Sequence, residues 1–421
     1  MTRKMLPFDA ERIAEIRKKH PTPFHLYDER GIRENAKRFY DAFAWAAGFQ
    51  NHFAVKAAPN PFLLKLLHSL GMGADCSSLP ELLLAQKAGI PGDEMVFTSN
   101  DTPPEEFVAA RRIGAVINLD DITHIDVLER SAGIPETICF RYNPGPLGEG
   151  NDIIGNPIEA KFGLTRRQIF DAYATMRRKG VKRFWLHAMI VSNMLEVGHL
   201  IETARMLFDL IVEIQAKTGV RIECVNLGGG IGIPYKPGQK AVDYRAFSRG
   251  VKKQYDAIIV PNQLHPLRIV MESGRAITGP YGYLVTAVRH VARKYRNFVG
   301  VDASMADLMR PAIYGAHHHI TVLSKGRQRP TRLYDVTGSL CENKDKFAVG
   351  RMLPRVEPGD VLVIHDTGAH GHAMGFNYNG KLRSAEILLR DDGTDVEIRR
   401  AETVDDYFAT LDFAKLKRFQ P

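Results

Sequence analysis

Cysteine is scarce in this sequence, with only four cysteines among 421 residues. Cys76, Cys139, Cys224 and Cys341 lie far apart in the chain, and no two of them have the close spacing of a metal-binding pair. A secreted, disulfide-stabilised protein normally has more cysteines at regular spacings. The composition therefore favours a reducing compartment and excludes a disulfide framework.

Long apolar runs are also absent. No stretch approaches the roughly 20 apolar residues that a membrane-spanning helix needs. Residues 1–7 lack the apolar core of a signal peptide. We therefore expect a cytoplasmic protein that does not contact a membrane.

A strong excess of one charge is lacking as well. The 57 basic and 48 acidic residues are interspersed and give a net charge of +9, with short basic clusters at residues 177–183 and 415–418. This distribution indicates a solvated surface with a mild preference for anionic ligands, and it argues against nucleic-acid binding. With 44% apolar and 25% charged residues, the chain is long enough for two domains with sizeable cores.

What the sequence does contain is a regular alternation of short β-rich runs and helical patterns between about residue 50 and residue 275. The predicted strands are His52–Lys56, Gly73–Asp75, Met95–Thr98, Ala115–Asn118, Ile138–Arg141, Phe184–His187, Cys224–Leu227 and Ile269–Glu272. Eight such repeats predict a closed (β/α)₈ barrel of the TIM type. An open, doubly wound sheet is the alternative, but the first strand–helix turn carries no G-x-G-x-x-G.

After Gly279 the pattern changes to β-rich runs without long helices between them. These runs are Tyr283–Val288, Phe298–Val301, His318–Leu323, Leu333–Val336, Val361–His365, Ala385–Leu389 and Val396–Arg399. They predict an antiparallel β domain, which the early run Phe24–Tyr27 can join. We thus expect an N-terminal segment (1–30) that joins the β domain, a barrel (31–280), and a β domain with a C-terminal helical tail (281–421).

Lys56 is the first candidate functional residue, because it ends the first predicted barrel strand. Barrel enzymes place their catalytic residues at the carboxyl ends of the strands. An amine in apolar surroundings has a lowered pKa, and its neutral form can attack an aldehyde to give a Schiff base. Lys56 is therefore a candidate cofactor anchor, although most lysines at strand ends simply face water.

Glycines follow the seventh predicted strand, and an acidic residue ends the eighth. Gly228, Gly229 and Gly230 can direct backbone N–H groups toward a phosphate, although tight packing of a turn also calls for glycine. Glu272 can keep a pyridine nitrogen protonated, as an electron-sink cofactor requires. Gly274 adds a backbone donor, and the planar fork of Arg275 suits a substrate carboxylate. A surface ion pair would explain Glu272 and Arg275 equally well.

The remaining candidates lie at other strand ends and in the β domain. Arg141 can pair with a phenolate oxygen, and His187 can line the same mouth, although each is more often a structural residue. In the β domain an arginine, two tyrosines, a thiol and a carboxylate suit a dipolar amino-acid substrate: Arg310, Tyr314, Tyr378, Cys341 and Glu342. The run His317–His319 does not predict a metal site, because consecutive side chains on a strand point to opposite faces.

Taken together, these runs resemble the fold-type III pyridoxal-phosphate-dependent amino-acid decarboxylases, most closely the diaminopimelate decarboxylases. The resemblance extends from Thr22 to Asn379. Its most specific runs are Phe53–Ala57, Gly73–Asp75, Pro80–Leu82, Arg141–Gly145, Lys161–Leu164, Gly228–Gly230, Glu272–Arg275, Arg310–Tyr314 and Cys341–Glu342. Their order along the chain makes the resemblance far more specific than any single run.

The resemblance implies a role for each matching residue. Lys56 resembles the lysine that holds pyridoxal phosphate covalently, and Glu272 resembles the partner of the ring nitrogen. The phosphate-binding group would be Gly228, Gly229, Gly230, Gly274 and Arg275, with Tyr378 nearby. Further cofactor-binding positions would be Asp75, Arg141, His187, Met189 and Ser192.

The resemblance also implies a substrate site that is shared between subunits. Arg275, Arg310 and Tyr314 resemble residues that hold the distal carboxylate of the substrate, and Glu342 resembles the residue that receives its distal amino group. Cys341 matches a thiol that is delivered from the neighbouring subunit and is a candidate proton donor. A homodimer with shared active sites is the expected assembly.

The chain departs from the family pattern after the sixth barrel strand. The family usually has His-x-His-Ile-Gly-Ser there, whereas this chain has Met189 in place of the second histidine and Val191 in place of the glycine. Methionine can cover an aromatic ring, but it cannot act as a titratable acid or base. His370 likewise stands where tyrosine is more frequent.

We therefore predict a pyridoxal-phosphate-dependent carboxy-lyase of amino-acid biosynthesis, which converts meso-diaminopimelate to L-lysine and carbon dioxide. A decarboxylase of another amino acid is the first alternative, for example one acting on D-lysine or D-ornithine. A catalytically silent relative that binds the cofactor or a partner is the second, and Lys56, Glu272 and Cys341 argue against it. A racemase fits the Cys341–Glu342 run and the Arg310–Tyr314 pair less well. No metal is expected.

Overall fold

The computed structural model describes residues 4–145, 156–325 and 328–420. The chain divides into two compact units. The β unit comprises residues 1–30, 235–237 and 280–421, and the barrel unit comprises residues 31–234 and 238–279. Over the described ranges, no helix combines the length and the apolar character needed to cross a membrane.

The barrel unit contains a closed barrel of eight parallel strands, so the predicted (β/α)₈ fold is confirmed. Its strands are β2 (Gln50–Ala54), β3 (Gly73–Cys76), β4 (Met95–Thr98), β5 (Val116–Leu119), β6 (Thr137–Arg141), β7 (Arg183–His187), β8 (Ile222–Asn226) and β9 (Arg268–Met271). The barrel closes where Gln50 and Asn51 of β2 pair with Val270 and Met271 of β9.

The helices of this unit alternate with the strands. They are α2 (Glu29–Ala42), which begins in the β unit, α3 (Pro61–His68), α4 (Leu79–Lys87), α5 (Pro104–Ile113), α6 (His124–Ala132), α7 (Arg166–Arg178), α8 (Val197–Thr218), α9 (Tyr244–Ile258) and α10 (Arg275–Thr278). Several begin at side-chain caps: Asn60 and Asp243 accept backbone N–H groups of α3 and α9, and Thr165 and Gln168 form a capping box on α7.

The barrel interior is filled by side chains. Six inward-facing residues, one from each of β4 to β9, form a buried cluster: Val96, Val116, Cys139, Trp185, Cys224 and Val270. The interior is therefore a packed core and not a pore. A site can form only at the mouth, where polar residues end the strands.

The β unit is built on a nine-stranded sheet. Its strands are β1 (Phe24–Asp28), β10 (Gly282–Arg293), β11 (Asn297–Val301), β12 (Ile320–Val322), β13 (Arg332–Thr337), β14 (Lys346–Leu353), β15 (Val361–Ile364), β16 (Ala385–Leu389) and β17 (Asp395–Arg399). The helices of this unit are α1 (Ala10–Lys19), α11 (Arg310–Tyr314), α12 (Val404–Phe408) and α13 (Phe413–Leu416).

This sheet is mixed, which corrects the prediction of a purely antiparallel domain. β1 lies between β10, to which it is antiparallel, and β16, to which it is parallel. β11 and β13 are also parallel. Sequence patterns reveal strands, but they do not specify which strands become neighbours.

Candidate active site

Polar residues collect at the carboxyl ends of the barrel strands. Lys56 follows β2, Asp75 lies in β3, Arg141 and His187 end β6 and β7, and Glu272 follows β9. The structure brings Lys56 Nζ to 3.7 Å from Asp75 Oδ2 and His187 Nε2 to 3.2 Å from Glu272 Oε2. These pairs form the centre of the candidate site.

Lys56 lies just beyond its strand rather than in it. β2 ends at Ala54, and residues 55–57 form a 3₁₀ turn that places the Lys56 side chain in the open, with 58% of it exposed. The nearby Asp75 carboxylate raises the pKa of Lys56, which outweighs desolvation. The prediction that apolar surroundings lower this pKa is therefore wrong, because the nearest strong influence is an anion.

Asp75 and Glu272 are both buried, yet their environments shift their pKa values in opposite directions. Burial and the neighbouring Glu272 raise the pKa of Asp75 well above its usual range, although Lys56 opposes this shift. Burial alone would also raise the pKa of Glu272, but His187, Lys56 and Asn226 lower it to about 2. Glu272 is thus the more acidic of the two carboxyl groups.

Two asparagines hold the His187–Glu272 pair in place. The Asn226 amide donates to Glu272 Oε1 at 2.6 Å, and the Asn118 amide donates to His187 Nδ1 at 2.8 Å. In this arrangement Nδ1 is an acceptor, and Nε2 lies 3.2 Å from Glu272 Oε2 without hydrogen-bond geometry. The Glu272 carboxylate is therefore held by the Asn226 amide and lies beside the His187 ring.

Arg141 is already engaged within the barrel. Its Nη1 is 3.2 Å from Asp120 Oδ1, its Nη2 is 3.5 Å from the Met189 carbonyl, and its guanidinium lies 4.4 Å from the centre of the Phe162 ring. These contacts hold the cation at the mouth, where the sequence places it.

The glycine loop after β8 packs tightly against neighbouring loops. A Cβ at Gly228, Gly229 or Gly230 would lie within 2.7 Å of a backbone carbonyl oxygen, and Gly228 and Gly230 have positive φ. The Gly228 N–H donates to Asn226 Oδ1, so it is already occupied. Tight packing therefore explains these glycines by itself, and phosphate binding stays a prediction.

Met189 lies against this loop. Its sulfur accepts the Gly229 N–H at 3.3 Å, which is a weak bond because a thioether is a poor acceptor. Met189 and Ser192 both lie in the loop that follows β7. Gly274 directly precedes α10, and Arg275 is the first residue of that helix. A Cβ at Gly274 would lie 2.7 Å from Ala57 Cβ, so Gly274 lets two mouth loops approach closely.

The candidates of the β unit fall into two groups. Arg310 is buried at the start of α11, whereas Tyr314, Tyr378, Cys341 and Glu342 are exposed. The Cys341 N–H donates to Asn379 Oδ1 at 2.7 Å, which joins the loop of Cys341 to that of Tyr378.

Comparison with known proteins places the chain in a family. The profile of the family described as pyridoxal-dependent decarboxylase, pyridoxal binding domain, matches residues 29–279. The chain belongs to the pyridoxal-dependent decarboxylases. Protein TabA of Pseudomonas amygdali pv. tabaci is 42% identical over 409 residues, covering 97% of this chain and 96% of that protein.

Diaminopimelate decarboxylases are among the relatives of this decarboxylase. The diaminopimelate decarboxylase of Methanothermobacter thermautotrophicus is 34% identical over 396 residues, which are 93% of this chain and 92% of that enzyme. The crystal structure of diaminopimelate decarboxylase from Helicobacter pylori complexed with L-lysine superposes with a TM-score of 0.86 at 28% identity, covering 97% of this chain and 100% of that chain.

The mouth of this decarboxylase fits pyridoxal phosphate. The groups that could contact the cofactor are the accessible amine of Lys56, the buried carboxylate of Glu272 and the Gly229 N–H, which is bonded only weakly to sulfur. Asp75 Oδ1 and Ser273 Oγ are also buried without a hydrogen-bond partner among the described residues. When bound, the cofactor supplies an electron sink for the electron pair that remains on the substrate after its carboxylate leaves as carbon dioxide.

Sequence reasoning missed the residues that support this site. Asn118, Asp120 and Asn226 hold His187, Arg141 and Glu272, respectively. Each is a polar residue at or just after the end of a barrel strand, which is the signal that could have identified it. Among the described residues, no group of three or more histidine, cysteine or acidic side chains is arranged to hold a metal.

Proposed function

We propose that this decarboxylase converts meso-diaminopimelate to L-lysine and carbon dioxide in the cytoplasm, as a homodimer and without nucleic-acid partners. The observation that carries the chemistry is the pair of buried carboxylates beside Lys56, of which Glu272 is held ionised by His187 and Asn226. The substrate assignment rests on the diaminopimelate decarboxylases that match nearly the whole chain.

Each residue of the barrel mouth has a distinct proposed task. Lys56 Nζ binds the cofactor aldehyde, and Glu272 keeps a proton on the cofactor ring nitrogen. The amide of Asn226 fixes the Glu272 carboxylate for that task, and the His187 ring lies beside it. Gly229, Gly230, Gly274 and Arg275 bind the phosphate, and Arg141 contributes positive charge at the same mouth.

The β unit supplies the groups that recognise the substrate. Arg310, with Tyr314 and Arg275, binds the distal carboxylate, and Glu342 binds the distal ammonium group. The Cys341 thiol gives a proton to the carbon that has lost its carboxylate. We propose that Cys341 and Glu342 act in the partner subunit's site, and their exposure is compatible with that role.

A decarboxylase of D-lysine or D-ornithine is the second candidate, because Met189 and Val191 depart from the family pattern. These substrates lack the distal carboxylate.

The test of the substrate assignment is to incubate the cofactor-loaded enzyme with diamino and basic amino acids of both configurations and to measure released carbon dioxide. Selective turnover of meso-diaminopimelate supports the first assignment, and selective turnover of a D-diamino acid replaces it with the second.

The role of Lys56 has its own test. Borohydride reduction of the holoenzyme should attach the cofactor to the peptide that contains Lys56, as read by mass spectrometry. Lys56→Ala is the control and should give no labelled peptide. A label on another lysine would overturn the assignment.

A further inference from the structure

Arg310 is a buried cation with an unusual platform. Only 3% of it is exposed, although a guanidinium is costly to remove from water unless other groups compensate it. Its neighbours include an aromatic ring and an imidazole, both of which contact the guanidinium. Both belong, like Arg310, to the β unit.

The guanidinium of Arg310 lies over the ring of Tyr235. The Arg310 Cζ atom is 4.6 Å from the centre of the Tyr235 ring, within the range of a cation–π contact. Tyr235 belongs to the short stretch 235–237 of the β unit, five residues after Gly230 in the chain. The Tyr235 ring in turn meets the His318 ring edge-on, with centroids 5.0 Å apart.

His318 presents a lone pair to the same cation. Its Nδ1 is 2.8 Å from the backbone carbonyl oxygen of His365, which can only accept, so Nδ1 carries the proton. Nε2 is then an acceptor, and it lies 3.4 Å from Arg310 Nη1. The histidine run, which does not predict a metal site, thus contributes an imidazole that faces an arginine.

The surroundings keep His318 neutral. Burial and the charge of Arg310 lower the pKa of His318 to about 3, so it faces Arg310 as a dipole. Lys4 and Asp366 form an ion pair in the same unit. Burial raises the pKa of Asp366 to about 6, although Lys4 and Arg310 oppose this shift.

We propose that Tyr235 and His318 are positioning residues that fix the plane of the Arg310 guanidinium for binding the distal carboxylate of the substrate. This inference rests on the proposed function, in which Arg310 binds that group. Bidentate recognition of a carboxylate requires two N–H groups in one plane. The ring of Tyr235 restricts tilting of that plane, and Nε2 of His318 restricts its rotation.

Two pairs of variants separate positioning from simple packing. His318→Asn keeps a donor near the Nδ1 position but has no acceptor facing Arg310, whereas His318→Gln places its amide oxygen near the Nε2 position. Tyr235→Leu removes the π face, whereas Tyr235→Phe keeps it. His318→Gln and Tyr235→Phe are therefore the matched controls.

The expected result is a split between KM and kcat. His318→Asn and Tyr235→Leu should raise the KM for meso-diaminopimelate about tenfold, as for loss of one hydrogen bond to a charged group, and leave kcat within about twofold. L-lysine retains the distal carboxylate, so its inhibition should weaken equally. D-lysine lacks that carboxylate, so its binding should not change. Equal losses in the controls would overturn the proposal.

A readout independent of turnover distinguishes failure of this proposal from failure of the proposed function. Phenylglyoxal should modify Arg310 faster in His318→Asn and Tyr235→Leu than in wild type and the controls, as mapped by mass spectrometry. If wild type does not turn over meso-diaminopimelate, the proposed function fails, and these rates alone decide whether Arg310 is held. Equal rates in all variants would refute the positioning role.

Discussion

Asp75 and Glu272 show how two residues of similar chemistry acquire different acidities. Both carboxyl groups are buried, but only Glu272 receives the His187 imidazole and the Asn226 amide. Those donors lower the pKa of Glu272 to about 2, whereas burial and Glu272 itself raise that of Asp75. Divergent pKa values in one pocket assign different roles to its members. Here they identify Glu272 as the stronger acid of the two, and therefore as an anion at neutral pH.

The first prediction concerns that anion. Glu272→Gln should retain the cofactor but lose turnover by about a hundredfold or more, roughly 3 kcal/mol of transition-state stabilisation, because a neutral amide does not keep the ring nitrogen protonated. Asn226→Ala is the control: it removes one hydrogen bond to Glu272 but not the charge, so its loss should be smaller. Wild-type rates in Glu272→Gln would show that the ring nitrogen is tuned by another group.

Met189 gives the second prediction. Its thioether contributes dispersion and S–aromatic contact of roughly 0.3–1.5 kcal/mol, so Met189→Ala and Met189→His should change the cofactor dissociation constant by no more than about tenfold. Met189→His should alter substrate preference or the pH dependence of turnover, because it adds a titratable group. Spectroscopic titration of the apoenzyme measures the first effect. Met176→Ala, at a buried position in α7, is the control for loss of a methionine.

A negative result for Met189 is also informative. If Met189→Ala abolished cofactor binding, the methionine would be an essential platform rather than a tolerated replacement. If Met189→His alone failed to fold, the Met189→His/Val191→Gly double variant would test whether crowding is the cause. Both side chains pack on the same glycine loop: Met189 Sδ lies 3.3 Å from a Cβ built at Gly228, and Val191 Cγ2 lies 3.1 Å from one built at Gly230.

At the scale of elements, hydrophobic periodicity predicted the barrel because each strand is short, apolar and bounded by turns. The prediction failed where local chemistry changes the backbone. The first barrel strand ends two residues before Lys56, because residues 55–57 turn at the mouth. β14 was not predicted, because its buried and exposed residues do not alternate and its pairing with β13 shifts register.

The candidate site was predictable to a similar degree. Lys56, His187 and Glu272 were found because their residue types at strand ends signal chemistry. Their supporting asparagines, and the contact of His318 with Arg310, depend on side-chain packing over long sequence separations. Spacing in a single sequence carries no information on such contacts.

The third prediction concerns the loop that carries Cys341. The Asp345 carboxylate accepts the N–H groups of Met305 at 2.6 Å and Leu340 at 2.8 Å, so it ties this loop to the segment that contains Met305. Asp345→Ala should lower the free energy of unfolding by about 1–3 kcal/mol and increase proteolysis between residues 338 and 345, because buried donors lose their acceptor. Urea denaturation and limited proteolysis measure these effects.

The control for that variant is Asp391→Ala. Asp391 pairs with Arg30, but both side chains are more than half exposed, so the loss should be below about 1 kcal/mol. Equal effects of the two substitutions would show that Asp345 does not anchor the loop.

At the scale of the whole molecule, buried histidines determine the response to acid. Burial lowers the pKa of His25, His318 and His365 to about 3, and that of His52 and His372 to about 4. Between pH 6.5 and these values the unfolded chain binds protons that the native state does not. These histidines therefore lower stability as the pH falls, by roughly 1.4 kcal/mol per histidine for each pH unit. Buried carboxyl groups with a raised pKa, among them Asp307 and Asp366 at about 6, bind protons in the native state and offset part of this loss.

The fourth prediction follows from that sign. Thermal unfolding of the holoenzyme should show a Tm that is flat above about pH 7 and decreases steadily from pH 6.5 to 4. The carboxylates with depressed pKa, Glu272 and Glu386, add to the loss only below about pH 4.5. A Tm that stays constant from pH 7 to 5 would contradict the neutral, buried state of these histidines.

The fifth prediction tests whether the active site is shared between subunits. If Cys341 acts in the partner's site, a dimer of one Lys56→Ala chain and one Cys341→Ala chain has one site with both groups intact. Random exchange makes half of all dimers hybrid, and each hybrid has one intact site. About a quarter of all sites, and of the wild-type activity, should therefore return.

The control mixes Lys56→Ala with Glu272→Gln. Both changes lie in the barrel, so every hybrid site carries one defect and should remain inactive. Recovery in the first mixture but not in the second identifies a site completed by the partner's β unit. Hybrids that exchange subunits but remain inactive in both mixtures would place Lys56 and Cys341 in one chain's site.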